Sequence, residues 1–142
     1  MTIAKALKLK NRLIKEITDL TNLATTHNST EVDNEFRYNV RELLTKLESK
    51  MDELVELKTK IHTANLPVYD KIFRMAELKG RIASIRRMDT SEGKTMERFG
   101  TGAMVKKVQM NVAEKDEYVT NIQNEIDNLQ DELDAFNATT SI

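Results

Sequence analysis

The sequence predicts an all-α fold: a long-helix antiparallel bundle or coiled coil of about four helices, with a short extended or β arm before the last helix. Near the C-terminus, apolar residues recur at alternating gaps of three and four when Lys115 is counted as a weak member of the series. This spacing is typical of a helix that buries a narrow seam against another helix. The series is Val112, Val119, Ile122, Ile126, Leu129, Leu133 and Phe136. One Pro and four Gly among 142 residues also favour long helices.

The first helix is predicted over residues 2–24, with Thr2 as its N-cap. Lys10 occupies one position of the apolar seam, where its long side chain can reach solvent. The seam consists of Ile3, Ala6, Leu13, Ile17, Leu20 and Ala24. Residues 25–30 predict a loop, because their hydroxyl and amide side chains compete for backbone hydrogen bonds.

The second helix is predicted over residues 33–64 and is the longest. Its seam consists of Phe36, Val40, Leu43, Leu47, Met51, Leu54 and Ile61, broadened by Leu44, Val55 and Leu57. Pro67 ends the helix, and proline disfavours helical backbone at the residue before it. We therefore expect Leu66 to be extended.

The third helix is predicted over residues 68–88. Its seam consists of Ile72, Met75, Leu78, Ile82 and Ile85. Gly80 lies inside this helix, where glycine costs about 1 kcal/mol relative to alanine. A neighbouring helix that approaches closely at Gly80 would account for it.

An extended arm and the last helix complete the pattern. Val108, Met110 and Val112 alternate with polar residues, which predicts a short strand. An isolated strand is unstable in water, so it needs a partner from the same loop or from another subunit. Asn111, with Glu114 three residues later, predicts the N-cap of a last helix that ends near Asn137.

Composition bounds the class of protein. The absence of cysteine excludes disulfides, thiolate metal ligands and a cysteine nucleophile. No signal peptide and no membrane span are recognisable. We expect a single cytoplasmic domain over residues 1–142 that has no membrane association.

Charge is unevenly distributed although the net charge is only −1. Residues 1–24 and 70–89 are basic, whereas the last helix is acidic. We expect the last helix to pair with a basic helix, the first one above all. Alternatively, a basic patch on and after the third helix contacts nucleic-acid phosphates; it comprises Lys79, Arg81, Arg86, Arg87 and Lys94. Arg98 beside Phe99 is the nearest approach to a base-stacking element.

Residues that could carry chemistry do not form a recognisable motif. Gly93-Lys94-Thr95 resembles the end of a phosphate-binding loop but lacks the required glycine five residues earlier. His27 and His62 belong to no spaced metal motif. Asn28 and Asn137 begin glycosylation tripeptides without a secretory signal. We predict that the protein is not an enzyme and that it has no catalytic, metal-binding or cofactor-binding residue.

Short segments throughout the chain resemble a family of small bacterial proteins sometimes labelled septicolysin. The matching segments are residues 3–7, 61–65, 81–82, 85–86, 97–99 and 136–140, together with Leu13, Ile17, Leu20 and Leu78. The chain departs from the family at two places. It has Ala138 where the family typically has Trp, and it has Gly100-Thr101-Gly102 where the family tends to have Ser and a basic residue. The resemblance implies a helical fold and a bacterial or phage source, but no activity.

Together these features predict a non-enzymatic helical scaffold or interaction protein. It would self-associate as a homo-oligomer, and it would bind a protein partner whose identity the sequence does not indicate. A nucleic-acid-associated factor using the basic third helix is the alternative. A hydrolase or metal-dependent enzyme with a site between subunits is a third hypothesis.

Overall fold

The computed structural model describes residues 1–96 and 103–142 and confirms the all-α prediction. Four helices, α1 (Ile3–His27), α2 (Val40–Asn65), α3 (Tyr69–Ile85) and α4 (Val112–Thr139), make up most of the chain. A 3-10 turn at Leu66–Val68 joins α2 to α3, and strands β1 (Gly93–Met96) and β2 (Ala103–Lys106) form an antiparallel hairpin. Among the described residues, no helix is both long and apolar enough to cross a membrane.

The chain divides into two compact units. The first unit contains Met1–Pro67 and Asp134–Ile142, and the second contains Val68–Leu133. The helix α4 therefore contributes residues to both units. A single domain over residues 1–142 stays a prediction, as does the arrangement of four helices in one antiparallel bundle.

In the first unit, α1 and α2 pack as an antiparallel pair. Their core contains the buried side chains of Ala6 and Leu13 from α1 and of Leu57 and Ile61 from α2. Half-buried apolar side chains surround this core: Leu7, Leu9, Leu54 and Ile142. Thr2 is the N-cap of α1, as predicted, because its hydroxyl oxygen accepts a hydrogen bond from the amide of Lys5 (3.3 Å).

Short extended segments from the two ends of the chain complete this unit. The amide of Ile3 donates to the carbonyl of Thr140, and the amide of Ile142 donates to the carbonyl of Met1, both at 2.9 Å. An antiparallel bridge joins Thr2 and Ser141 between them. The side chain of Ile3 beside this bridge is fully buried. Backbone pairing thus fixes the position at which α1 begins.

The connection between α1 and α2 differs from the prediction at both ends. The predicted loop begins at residue 25, but α1 continues to His27, where the Thr25 hydroxyl donates to the Thr21 carbonyl (2.9 Å) and so stays inside the helix. The predicted start of α2 at residue 33 is also wrong. Asn39 is the N-cap, and its side chain accepts from the amide of Glu42 (3.3 Å).

The junction between α2 and α3 also corrects one prediction. Leu66 was expected to be extended, yet its backbone is helical (φ −47°, ψ −42°). Its amide donates to the carbonyl of Thr63, so the helical path continues through the 3-10 turn. Pro67 lies in that turn. Proline has no amide hydrogen, but an amide at the beginning of a helical turn has no acceptor within the turn, so the proline costs little there. The predicted end of α2 at residue 64 is correct to within one residue.

In the second unit, polar side chains align α3 and α4 as an antiparallel pair. Lys71 at the start of α3 forms an ion pair with Glu132 late in α4 (2.9 Å). Arg74, one turn along α3, bonds to Glu125, and this hydrogen bond raises the pKa of Arg74. The acidic α4 therefore meets the basic α3 at these two ion pairs, and pairing with the first helix stays a prediction. Buried apolar side chains also lie on both helices: Met75, Leu78, Ile82, Ile122, Ile126 and Leu133.

The start of α4 agrees with the predicted capping box. The Asn111 side chain accepts from the amide of Glu114 (2.9 Å), and the Glu114 carboxylate lies 3.5 Å from the amide of Asn111. Lys115, the polar member of the predicted seam, donates to the carbonyls of Arg86 (2.8 Å) and Met88 (3.1 Å) just beyond α3. A cation thus satisfies the carbonyl of the C-cap residue Arg86 and a second carbonyl in the turn that follows. The helix ends at Thr139, two residues beyond the predicted end.

The extended arm is present but lies earlier than predicted. The strand expected at residues 108–112 is absent there, because Val112 already belongs to α4. β2 ends at Lys106 and pairs with β1 of the same loop, which is one of the two partners that were considered. Asp89 joins the hairpin to the preceding turn: it accepts hydrogen bonds from the amide of Ser91 and from Lys106, and these bonds hold its pKa far below the usual value.

No helix of the described residues approaches Gly80 closely, although such an approach was expected. A β-carbon placed on Gly80 meets no atom of the described structure within 4 Å, outside the backbone of its own helix turn. The residue has helical dihedral angles in the middle of α3 and needs no special conformation. Its effect is therefore only the entropic cost of glycine inside a helix.

Replacing Gly80 by alanine should consequently stabilise the protein by about 0.5–1 kcal/mol, because alanine loses less backbone entropy and meets no clash. Urea denaturation followed by circular dichroism measures this difference. Gly93→Ala is the control, because Gly93 has a positive φ of 91° that alanine disfavours. A Gly80→Ala protein less stable than the parent would contradict the open site.

Candidate functional site

The helix α2 carries two apolar stripes that differ in burial. Leu43, Leu57 and Ile61 form the inner stripe and are buried against the rest of the unit. Leu44, Met51 and Val55 form the outer stripe, and their exposed fractions are 45%, 46% and 62%. Consecutive helix residues are rotated by about 100°, so a stripe displaced by one residue points away from the core. The broad seam predicted for α2 is therefore buried along only one side.

The helix α1 shows the same displacement. Leu13 is buried, whereas its neighbour Ile14 is 41% exposed. In an antiparallel pair of right-handed helices, side chains rotated in the same sense from the contact line emerge on the same side of the pair. The exposed stripes of α1 and α2 therefore share one surface.

The Glu16–Lys50 ion pair (3.3 Å) shows which residues of α1 and α2 lie at the same height along the helix pair. Because the helices are antiparallel, Ile14, two residues before Glu16, lies at the height of Asp52, two residues after Lys50. Along the helix axis Ile14 is therefore between Met51 and Val55. We define the open face as Ile14, Leu44, Met51 and Val55 together with the half-buried Leu7 and Leu47.

The opposite side of the helix pair carries ion pairs. Lys50 bridges Glu16 of α1 and Glu53 of its own helix, at 3.3 and 3.8 Å. Arg12 extends the series to Glu16 at 3.8 Å. Such exposed ion pairs each contribute little to stability, but they keep this side hydrated. The two sides of the helix pair thus differ in their chemistry.

Charged residues border the open face on its outer edges. Lys15 follows Ile14 on α1, and Glu48 and Asp52 lie beside the outer stripe of α2. All three are exposed, and none of them forms an ion pair with another described residue. One edge is therefore cationic and the other anionic at the same level, which permits complementary pairing across an interface.

The basic patch predicted on α3 lies on exposed surface. Lys79, Arg81, Arg86 and Arg87 are exposed, and no carboxylate of the described residues lies within 4 Å of their charged groups. Lys71 and Arg74, by contrast, are paired with α4. The remaining members of this prediction, the Lys94 side chain, Arg98 and Phe99, lie outside the described residues, as do residues 97 and 100–102.

The other candidate residues are located as follows. His27 is half-buried and its ring packs on Tyr38, with centroids 4.7 Å apart. His62 is exposed in the last turn of α2. Gly93 begins β1, so Gly93-Lys94-Thr95 follows no strand and opens no helix. The residues that the structure describes include no group of three His, Asp or Glu side chains arranged for a metal ion.

Residues 33–39 were assigned to α2 from the sequence, whereas they belong to the segment that connects α1 and α2. Phe36 was assigned to the buried seam, yet it is 66% exposed and lies before the helix. Arg37 and Arg41 beside it were not considered at all. Asn39 followed three residues later by Glu42 is an N-terminal signal of a helix and could have located the true start of α2.

Comparison with family models, curated proteins and solved structures finds no match to this chain. Membership of the septicolysin-like family stays a prediction.

Paired truncations should distinguish the inner stripe from the open face. Leu57→Ala removes a core side chain that is only 7% exposed and should cost about 2–5 kcal/mol of unfolding free energy. Val55→Ala, two residues away, removes a side chain that water already contacts and should cost less than about 1 kcal/mol in dilute protein. Urea denaturation of both variants at low protein concentration measures the difference. Equal losses would mean that Val55 is also buried in the isolated chain.

Proposed function

We propose that this protein is a non-enzymatic helical scaffold that self-associates through the open face of the α1–α2 pair. The exposure of Leu44, Met51 and Val55 on one ordered helix carries the proposal. Clustered apolar residues with charged residues at their edges are characteristic of protein interfaces. Their spacing of seven and four residues suits packing against another helix.

A second copy of the chain is the occupant that the surface favours. A two-fold axis parallel to the helices would place α1 of each copy against α2 of the other, in the antiparallel sense. Lys15 of one copy would then lie level with Met51 of the other, within one helical turn of Glu48 and Asp52. Two-fold symmetry repeats this favourable contact on the other edge. A four-helix antiparallel bundle of this kind would form between two chains.

A charge exchange tests this arrangement. In sedimentation equilibrium, Lys15→Glu alone should weaken the dimer by roughly tenfold in dissociation constant, because it faces carboxylates on both edges. Glu48→Lys with Asp52→Lys should weaken it similarly. Mixing the two variants should restore association, since each edge then pairs opposite charges.

Lys79→Glu is the matched control, because it makes the same charge change on α3 and should leave the dimer unaffected. A wild-type protein that remains monomeric at every concentration would refute self-association. An unchanged dimer dissociation constant in both charge-reversal variants and in Met51→Glu would refute this interface.

The basic surface of α3 supports a second candidate function, association with nucleic acid. The unpaired cations Arg86 and Arg87 and the exposed Lys79 and Arg81 carry this alternative. Phosphate contacts of this kind release counterions, so the affinity falls steeply as salt concentration rises.

Arg86→Glu with Arg87→Glu should weaken binding to a fluorescent RNA by more than about tenfold and reduce the slope of log affinity against log salt by about one to two. Fluorescence anisotropy at several salt concentrations measures both quantities. The control is Lys58→Glu with Lys60→Glu, the same charge change on α2. Unchanged RNA and DNA binding in the α3 variant would eliminate this function.

A further inference from the structure

A cleft of about 470 Å³ lies where α1 ends and α2 begins. Five of its side chains share an affinity for planar or anionic groups: His27, Phe36, Arg37, Tyr38 and Arg41. No carboxylate lines it, although the same connecting segment contains Glu31, Asp33 and Glu35. Its size lies within the range of small-molecule sites in proteins.

The aromatic residues of the cleft are arranged in two ways. Tyr38 is held between neighbours: its ring lies 4.7 Å from that of His27 at an angle of 56°, and the guanidinium of Arg37 lies 5.7 Å from the ring centroid. Phe36 makes no ring contact with another described residue and is 66% exposed. Phe36 therefore presents an uncovered aromatic face beside an ordered pair of rings.

The two arginines of the cleft, Arg37 and Arg41, keep their positive charge unneutralised by the described carboxylates. Neither Arg37 nor Arg41 has a carboxylate of the described residues within 4 Å. A guanidinium can donate two parallel hydrogen bonds to a phosphate, which a lysine cannot do. Two unpaired guanidinium groups beside an uncovered ring thus provide an anion site next to a stacking site.

We propose that this cleft binds a base-plus-phosphate unit, with the base stacked on Phe36 and the phosphate held by Arg37 and Arg41. A positively charged groove with stacking aromatics is the pattern by which proteins bind single-stranded nucleic acids. An acidic peptide would satisfy the guanidinium groups but would leave the face of Phe36 uncovered. This binding activity is separate from self-association and uses a different surface from the basic patch on α3.

Isotope-labelled protein comprising residues 1–142 tests the proposal through ¹H–¹⁵N correlation spectra. The probes are thymidine 5′-monophosphate, an oligothymidylate of about ten nucleotides and an oligoglutamate peptide. We expect the two nucleotide probes to shift resonances of residues 27–28 and 36–41. Binding of the monophosphate alone assigns the cleft to free nucleotides, whereas at least tenfold tighter binding of the oligothymidylate assigns it to single strands.

Matched variants separate stacking from charge. Phe36→Leu should weaken binding of the nucleotide probes by about five- to hundredfold, the range supplied by one stacked base, whereas Phe36→Tyr should retain it. Phe73→Leu is the control, because Phe73 is a similarly exposed phenylalanine on α3. Arg37→Ala with Arg41→Ala should abolish binding of the monophosphate, whereas Lys58→Ala with Lys60→Ala, two exposed cations of α2 outside both basic surfaces, should not change it.

Two results would overturn the proposal. The first is the absence of shifts at residues 27–28 and 36–41 with either nucleotide probe. The second is equal binding of oligoglutamate and oligothymidylate with no effect of Phe36→Leu, which would make the cleft a site for acidic peptides. Sedimentation equilibrium of the same Phe36 and Arg37 variants reports self-association separately, so failure of one proposal leaves the other measurable.

Discussion

The packing register of α1 against α2 is the constraint on which the first unit depends. Ala6 and Leu13 meet Leu57 and Ile61 in a buried core, and the small side chain of Ala6 leaves room for the helices to approach. Once these four side chains are buried, the remaining apolar residues cannot all face inward, because each helix turn offers only one buried sector. The exposure of Ile14 and Met51 is therefore a consequence of the core. It also leaves the unit with a second, solvent-exposed apolar surface.

The second unit relies more visibly on polar contacts for its alignment. Lys71 pairs with Glu132 of α4, and Arg74 pairs with Glu125. At the other end of the helix pair, Lys115 donates to two carbonyls just beyond α3. These contacts are exposed or half-exposed, so each contributes little net free energy, and burial of apolar side chains must supply most of the stability. What the charges supply is the choice of register. Sliding α4 by one turn would separate both ion pairs together.

The helical segments were predictable because their residues agree at two levels, apolar spacing and caps. Thr2 and Asn111 are caps with local side-chain chemistry, and both were located correctly. The start of α2 was predicted wrongly because Phe36 and Val40 are four residues apart. The exposed Phe36 therefore continued the apolar spacing of the helix by coincidence. The strand was misplaced for a related reason: alternation reports side-chain spacing, whereas a ladder also requires a partner backbone in register.

The division of α2 into a buried and an exposed stripe could not have been predicted from spacing alone. Leu43 and Leu44 have the same side chain and differ only by one position, and the contact made by α1 decides which of them meets water. Charge adds the missing information, because Glu48 and Asp52 border one stripe while Lys50 is paired across the other side. Charged edges of this kind also limit which registers an apolar surface can adopt with a partner. An exposed apolar stripe with oppositely charged edges thus differs physically from a non-specific apolar surface. Its charges favour one alignment with a partner and disfavour the others, which is what specific binding requires.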